Sequence, residues 1–103
     1  MNEFELPEPI IFDWDKGNID KNLKKHGITD NEAEEVFSNL NIIIPDEGHS
    51  KVELRYGMIG QTNSGKILFI AFTVRDDQIR IISARSADKK EGTLYEETIK
   101  KAA

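Results

Sequence analysis

The sequence lacks cysteine entirely, and its 103 residues include only two histidines, three prolines and one tryptophan. The absence of cysteine excludes a disulfide framework, a thiol nucleophile and zinc or iron–sulfur sites ligated by cysteine. With only two histidines a histidine-rich metal site is not expected, and no cofactor is predicted. No apolar run approaches the ~20 residues that span a bilayer, and the first residues do not resemble a signal peptide. These absences predict a cytoplasmic protein without a membrane partner.

Length and composition predict a single globular domain over residues 1–103. The hydrophobic fraction is 38% and the charged fraction is 32%, which is normal for a chain that buries one core. Residues 1–10 contain Pro7, Pro9 and three glutamates. They are therefore predicted to form an irregular N-terminal extension.

The charge of the chain is unevenly distributed along the sequence. The net charge is −5, which argues against a nucleic-acid partner, but residues 1–50 hold 4 Lys/Arg against 12 Asp/Glu and residues 51–103 hold 10 against 7. A local basic patch can bind phosphate even on an acidic molecule. The alternative is that the basic residues of the second half only coat solvated strand edges.

Two helices are predicted near the N-terminus. Asp15 can cap a helix over residues 16–25, whose inward apolar face would consist of Ile19, Leu23 and His26. Thr29 and Glu32 fit a capping box, which predicts a second helix over residues 30–39.

The rest of the chain has the pattern of strands followed by one helix. Apolar runs, alternation and turn residues predict strands over residues 41–45, 52–60, 66–74 and 78–87. Asp88 and Glu91 form another capping pair, which predicts a final helix near residues 89–101. The order is therefore ααββββα, an α+β domain with two N-terminal helices, a four-stranded, mostly antiparallel sheet and a C-terminal helix.

Metal-free RNA cleavage is the chemistry that these residues could support. The 2′-hydroxyl attacks the adjacent phosphorus, and the reaction needs a base, cations for the charge on the phosphorane oxygens, and an acid for the leaving oxygen. His26 ends its predicted helix, where the dipole favours an imidazolium that could act as an acid or hold phosphate. The alternative is a structural histidine that closes the apolar helix face.

Arginine is the natural partner of the phosphorane oxygens, because its planar fork can bind two of them at once. Arg75 is predicted at a strand end. Arg80 and Arg85 lie in the next strand at an odd separation, which places them on opposite faces unless a bulge intervenes. Each arginine could also be a solvated strand residue.

Several short motifs follow one another in a fixed order. They are Phe12-Asp13-Trp14-Asp15, Asn22-Leu23-x-Lys25-His26-Gly27, Glu34-Glu35-Val36-Phe37, Glu53-x-Arg55-Tyr56-x-x-Ile59-Gly60, Phe72-Thr73 and Arg80-Ile81-Ile82-Ser83-Ala84-Arg85-x-Ala87. Glu91 and Tyr95 follow in the last helix. Together, over about residues 11–97, these motifs resemble the BrnT-type ribonuclease toxins of type II toxin–antitoxin systems.

The resemblance implies a RelE-like fold and a small toxin that cleaves RNA without a metal and arrests translation. It implies a BrnA-type antitoxin as partner, a ribbon-helix-helix DNA-binding protein through which the complex reaches operator DNA. Carried over to this sequence, it implies the catalytic residues His26, Arg55 and Arg85. Further RNA or phosphate contacts are expected from Lys25, Arg75 and Arg80.

Two other functions remain open at this point. The acidic composition and the lack of an unmistakable acid–base pair are compatible with a weak or inactive toxin-like module that acts through antitoxin binding and operon autoregulation. A free nucleic-acid-binding regulator is the third alternative, although the sequence has no recognition-helix motif.

Overall fold

The computed structural model describes residues 4–46 and 53–102. The elements in chain order are α1 (Lys21–His26), α2 (Asp30–Ser38), β1 (Asn41–Pro45), β2 (Tyr56–Gln61), β3 (Ile67–Arg75), β4 (Gln78–Ser86) and α3 (Lys89–Ala102). The four strands form one antiparallel sheet in the order β1-β2-β3-β4. The predicted α+β architecture is thereby confirmed, with two N-terminal helices, an antiparallel sheet and a C-terminal helix.

The main core lies between α2 and one face of the sheet. Val36 and Phe37 of α2 are buried against alternate residues of the strands, and the largest of these, Phe72, is fully buried. Burying a side chain of this size contributes about 1.5–3 kcal/mol. The alternate residues of β3 therefore point to a second face, away from α2.

The N-terminal segment belongs to this core, although it contains no helix or strand in residues 4–10. Phe4 stacks on Tyr56 with ring centroids 3.9 Å apart, and Phe12 meets Phe37 edge-on at 5.2 Å. Phe12 also forms a parallel bridge with Ile79 of β4. Phe4 and Leu6 of this irregular segment thus pack against the core.

The first helix is shorter than predicted, because residues 16–20 form turns and α1 begins only at Lys21. The break falls at Asp20, which has a left-handed backbone with a φ of 56°. Asp15 does not cap the helix. Its carboxylate instead accepts a hydrogen bond from the Gly17 amide at 2.7 Å.

The predicted inner face of α1 is wrong. Ile19 and Leu23 are 51% and 47% exposed, and His26 is exposed as well. The buried side chains of this region are Asn18 and Asn22. The reason is that α1 meets the polar edge of β4 rather than an apolar face of the sheet.

The other predicted elements are present, β1 over its predicted residues and the rest with one or both ends shifted. The Thr29–Glu32 capping box of α2 is confirmed in both directions. Strand β2 begins at Tyr56 rather than at residue 52, which lies outside the described residues. Asp76 and Asp77 both have positive φ values, of 51° and 61°, as a two-residue hairpin turn requires.

Candidate functional site

A bulge in β4 decides which side chains share a face of the sheet. Ala71 pairs with Ser83, but the next residue, Phe72, pairs with Ile81, so Ile82 is the extra residue on β4. An extra residue reverses the alternation of side chains along the strand. Accordingly, the buried residues are Ile79 and Ile81 before the bulge and Ala84 after it.

The bulge brings Arg80 and Arg85 to the same face. Arg80 lies opposite Thr73, and Arg85 lies opposite Phe69. Thr73 and Phe69 are four residues apart on β3 and therefore point the same way. Without a bulge, the odd separation would put the two arginines on opposite faces. The sequence analysis allowed for a bulge as the exception, and the structure contains one.

Arg75 lies on this same face, since it follows Thr73 by two residues on β3. We call this side of β3 and β4 the arginine face; it carries Phe69, Thr73, Arg75, Arg80 and Arg85. Half-buried Ala71 and Ser83 lie between its two ends. The arginine face is turned away from α2 and the main core.

Arg80 is the least exposed of these arginines, with 14% of its side chain accessible. Its guanidinium donates hydrogen bonds to both Asp15 oxygens, at 2.9 and 3.0 Å, and a longer one of 3.4 Å to Asp13. The bond from Arg80 holds the pKa of Asp15 below its usual value. A Cβ at Gly17 would lie 2.9 Å from Arg80 Nη2, so glycine gives the guanidinium its room.

Arg75 forms a second pair at the hairpin end of the same face. Its Nε and Nη2 donate to the two oxygens of Glu53, at 2.6 and 3.0 Å. The hydrogen bond from Arg75 lowers the pKa of Glu53, and the charges of Arg55 and Arg80 lower it further. Arg75 forms the ion pair with Glu53, and Arg55 and Arg80 lie near enough for their charges to act on it.

Arg85 lies at the other end of the arginine face. Its guanidinium carbon is 4.6 Å from the centroid of the Phe69 ring, within cation–π range. Its two terminal nitrogens donate to the two oxygens of Glu91 at 2.7 and 2.9 Å, and one also donates to the Ser86 carbonyl. The hydrogen bonds to Glu91 raise the pKa of Arg85, and together these bonds fix its plane against the sheet.

Lys25 and His26 lie in the last turn of α1, on the segment that borders the edge of β4. Both are exposed, and the helix ends at Gly27, whose φ of 71° suits glycine. The His26 ring forms no hydrogen bond or ion pair within residues 4–46 and 53–102. Of the six predicted site residues, Arg75, Arg80 and Arg85 thus share the arginine face. Arg55 lies near the Arg75–Glu53 pair, and Lys25 and His26 lie at the end of α1.

One protein-family model matches most of the chain. Residues 14–91 match the family described as "Ribonuclease toxin, BrnT, of type II toxin-antitoxin system". The chain belongs to the BrnT family. All six predicted site residues lie inside the matched segment. A search of curated proteins gave no match.

Sequence reasoning missed the carboxylates that hold the arginines of this BrnT chain. Asp15, Glu53 and Glu91 each accept two hydrogen bonds from one arginine. The Glu91 contact could have been predicted from the sequence. Its capping position in the first turn of α3 places it close to Arg85 near the end of β4. Nothing local in the sequence links Asp15 to Arg80, which lies 65 positions further along the chain.

Two buried asparagines were also missed. Asn18 Nδ2 donates to the Ile81 carbonyl at 3.1 Å, and Asn22 Oδ1 accepts from the Ala84 amide at 3.0 Å. They satisfy backbone groups on the outer edge of β4, on either side of the bulge. This explains why asparagines rather than the apolar residues of the segment face inward.

The part of this BrnT chain that the structure describes contains no group of three side chains placed to ligate a metal. Within the same ranges, no helix is long and apolar enough to cross a membrane. Among the described residues, the ion pairs of the arginine face are formed with Glu53, Asp15 and Glu91.

Proposed function

We propose that this ribonuclease toxin cleaves RNA without a metal, using the arginine face to hold the phosphodiester backbone, and that this cleavage arrests translation. The observation that carries the proposal is the β4 bulge, because it puts Arg80 and Arg85 on one face with Arg75. Arginine forks on a single surface can neutralise successive phosphates of one strand. The net charge of −5 does not oppose this, since the cationic groups are local.

In the proposed mechanism Arg85 stabilises the charge that develops on the phosphorane oxygens. Its side chain is 39% exposed. Its described hydrogen bonds use three of the five N–H groups that a guanidinium carries. The remaining N–H groups are available to a phosphate while Glu91 keeps the plane fixed. Such preorganised donors lower the barrier because they need no reorientation during the reaction.

Arg55 is the second proposed contributor of positive charge, with Arg75 and Arg80 as backbone contacts. Its charge acts on Glu53 together with those of Arg75 and Arg80, which supports a common location. The long side chains of Arg75 and Glu53 are 51% and 31% exposed. An ion pair this open to solvent is weak, so a phosphate can replace the carboxylate.

His26 is the proposed proton-transfer residue, and Lys25 is a proposed phosphate contact beside it. Both belong to the Lys-His-Gly motif, and both side chains are exposed at the end of α1. A histidine can donate or accept a proton near neutral pH. Asn22 of α1 accepts a hydrogen bond from the amide of Ala84, the residue that precedes Arg85 in β4, so α1 lies beside the strand that carries Arg85.

The proposed partner is a BrnA-type antitoxin with a ribbon-helix-helix domain, through which the complex would bind operator DNA. A type II system pairs the toxin with a protein antitoxin, and family membership supports that much. The antitoxin type and the DNA binding are part of the proposal.

The decisive experiment is inducible expression with and without the antitoxin encoded beside the toxin, following growth and total RNA. Wild type should arrest growth and degrade RNA, and the antitoxin should relieve both effects. Arg85→Ala should lose about 10²–10³-fold of the cleavage rate, as is usual when one charge-stabilising donor is removed. Arg85→Lys is the matched variant, since it keeps the charge but loses the fork.

Purified protein tests metal independence directly. Cleavage of RNA should continue in excess EDTA, and His26→Ala should lose activity while its thermal unfolding stays that of wild type. Activity abolished by EDTA and restored by a divalent cation would contradict the metal-free mechanism. Full toxicity of both His26→Ala and Arg85→Ala would show that the site lies elsewhere.

A second function is favoured by one observation: Arg75, Arg80 and Arg85 are each paired with a carboxylate of the same chain. If RNA phosphates do not displace these carboxylates from the arginines, the chain acts as a non-catalytic module that binds the antitoxin and controls the operon. This function predicts tight antitoxin binding with no arrest and no RNA loss from a folded wild-type protein.

A further inference from the structure

The outer side of β4 carries an uncovered apolar surface. Ile11, Ile19 and Leu23 are 47%, 51% and 47% exposed. All three belong to the segment that runs along this edge, and three contacts fix its path. Ile11 accepts from the Ile79 amide, Asn18 reaches the Ile81 carbonyl and Asn22 reaches the Ala84 amide. We call this surface the edge strip, formed by Ile11, Ile19 and Leu23 with the lysines around them.

Ile19 and Leu23 are exposed because the inward positions are already taken. Asn18 and Asn22 are 3% and 2% exposed, and their amides satisfy the sheet edge. A six-residue helix such as α1 is unstable alone. Here it is held by polar bonds, and its one apolar side chain, Leu23, is left in solvent, as is Ile19 in the turn before it. Grouped exposed apolar side chains with a polar surround are typical of protein interaction sites.

The edge strip is basic although the molecule is acidic. Lys16, Lys21, Lys24 and Lys25 are all exposed along it. Asp13 and Asp15 do not offset them, because both are bonded to Arg80. Asp20 is the one other acidic residue between positions 16 and 26, and the Asp30 carboxylate accepts its amide at 2.9 Å, so the four lysines face these two carboxylates. A surface that combines exposed aliphatic groups with lysines is complementary to a segment that combines aliphatic and acidic side chains.

We propose that the edge strip is the docking surface for an acidic, amphipathic segment of the antitoxin. The inference rests on the proposed function in one respect, that a protein antitoxin binds this toxin. From Ile79 to Ala84 the strip extends about 16 Å along the strand, at about 3.3 Å per residue. This length matches about three turns of helix in the partner, at 1.5 Å per residue.

The apolar part of the strip favours a protein over RNA as the occupant. RNA backbones are recognised by positive charge, and unpaired bases by stacking on aromatic or guanidinium planes. Ile19 and Leu23 provide neither. Docking at Leu23 would place the partner one helical turn from His26, so the antitoxin would neutralise the toxin by covering its proposed proton-transfer residue.

The test compares Leu23→Asp with Leu94→Asp. Leu94 is a matched control, since it is 46% exposed but lies on α3. Each full-length variant is titrated with the purified full-length antitoxin by calorimetry, and its RNA cleavage is measured without antitoxin. We expect Leu23→Asp to raise the dissociation constant at least about tenfold, as for a hot-spot side chain, while Leu94→Asp binds as wild type does. Both should still cleave RNA.

A charge variant keeps the test valid if Leu23→Asp does not fold. Lys21→Glu/Lys24→Glu changes only exposed side chains and should slow association, with a smaller dependence on salt, because steering by the lysines is lost. Lys100→Glu/Lys101→Glu on α3 is its control and should leave association unchanged.

Several outcomes would overturn the inference. The first is that Leu23→Asp and the charge variant bind the antitoxin as tightly as wild type does, and the second is that Leu94→Asp weakens binding as much as Leu23→Asp does. The third is that Leu23→Asp loses RNA cleavage but keeps normal antitoxin affinity. The fourth is that wild type self-associates and Leu23→Asp abolishes this self-association without changing antitoxin binding. If wild type binds no antitoxin at all, the proposed partner is wrong rather than its location.

Discussion

Glu91 accepts two hydrogen bonds from Arg85, at 2.7 and 2.9 Å, and the same carboxylate accepts the Asp88 amide at the start of α3. In return, the Glu91 amide donates to the Asp88 side chain at 2.8 Å. One residue thus completes the cap of α3 and fixes the plane of an arginine on the sheet. The two roles can be separated by substitution.

Glu91→Gln should keep the cap and lose the charge that holds Arg85. Glutamine serves as well as glutamate at this position of a capping box, and a half-exposed ion pair is worth only ~0–1 kcal/mol. We therefore expect little loss of stability but slower RNA cleavage, mainly through kcat, because Arg85 is no longer preorganised. Urea unfolding and steady-state kinetics measure the two effects.

Glu91→Ala is the comparison, because it removes the cap as well and should cost about 0.5–2 kcal/mol more. If Glu91→Gln and Glu91→Ala lose stability equally and cleave RNA like wild type, Glu91 is a helix cap and nothing more.

Asp15→Asn should strengthen RNA binding by releasing Arg80 from its carboxylate partner. Asp76→Asn removes the same charge in the β3–β4 turn, where asparagine tolerates the positive φ. Only the first substitution frees a guanidinium, so only it should add a phosphate contact. Filter binding over a salt series should show a log–log slope steeper by about one for Asp15→Asn. Identical slopes for the two variants would mean that Arg80 does not reach RNA.

Stability should fall in acid because three surface carboxylates are held charged in the folded state. Hydrogen bonds from Arg80, Lys66 and Arg75 lower the pKa values of Asp15, Glu32 and Glu53, respectively. A pKa lowered by folding means that the unfolded chain takes up protons first as the pH falls. The stabilisation is therefore complete above about pH 5 and is lost progressively below about pH 4.

Thermal unfolding of wild type and Glu32→Gln between pH 3 and pH 7 checks this expectation. The variant should be less stable at pH 7 and should lose less stability on acidification. Glu97→Gln, on the exposed surface of α3, is the control and should follow the wild-type curve. A Glu32→Gln curve parallel to that of wild type would contradict the assigned cause.

The elements that the sequence predicts well are those with local causes. The capping box of Thr29 and Glu32, the alternation in β3 and the two-aspartate turn act within a few residues of one another. The orientation of α1 was not predictable in this way, since Asn22 faces inward to meet Ala84, 62 positions away. The faces of Arg80 and Arg85 depend on the bulge at Ile82, which arises from pairing between two strands and leaves no mark in the local pattern.

The buried amide of Asn22 should therefore be more important for stability than Leu23, the apolar residue of α1. Its Oδ1 accepts the Ala84 amide on the β4 edge, and its side chain is almost fully buried. Asn22→Ala leaves that amide without a partner and should cost about 1–3 kcal/mol in urea unfolding. Asn31→Ala is the control, because the Asn31 side chain bonds Glu35 on the exposed surface of α2, and surface changes stay within about 0.5 kcal/mol. Equal stability of the two variants would mean that α1 is held to the sheet by other contacts.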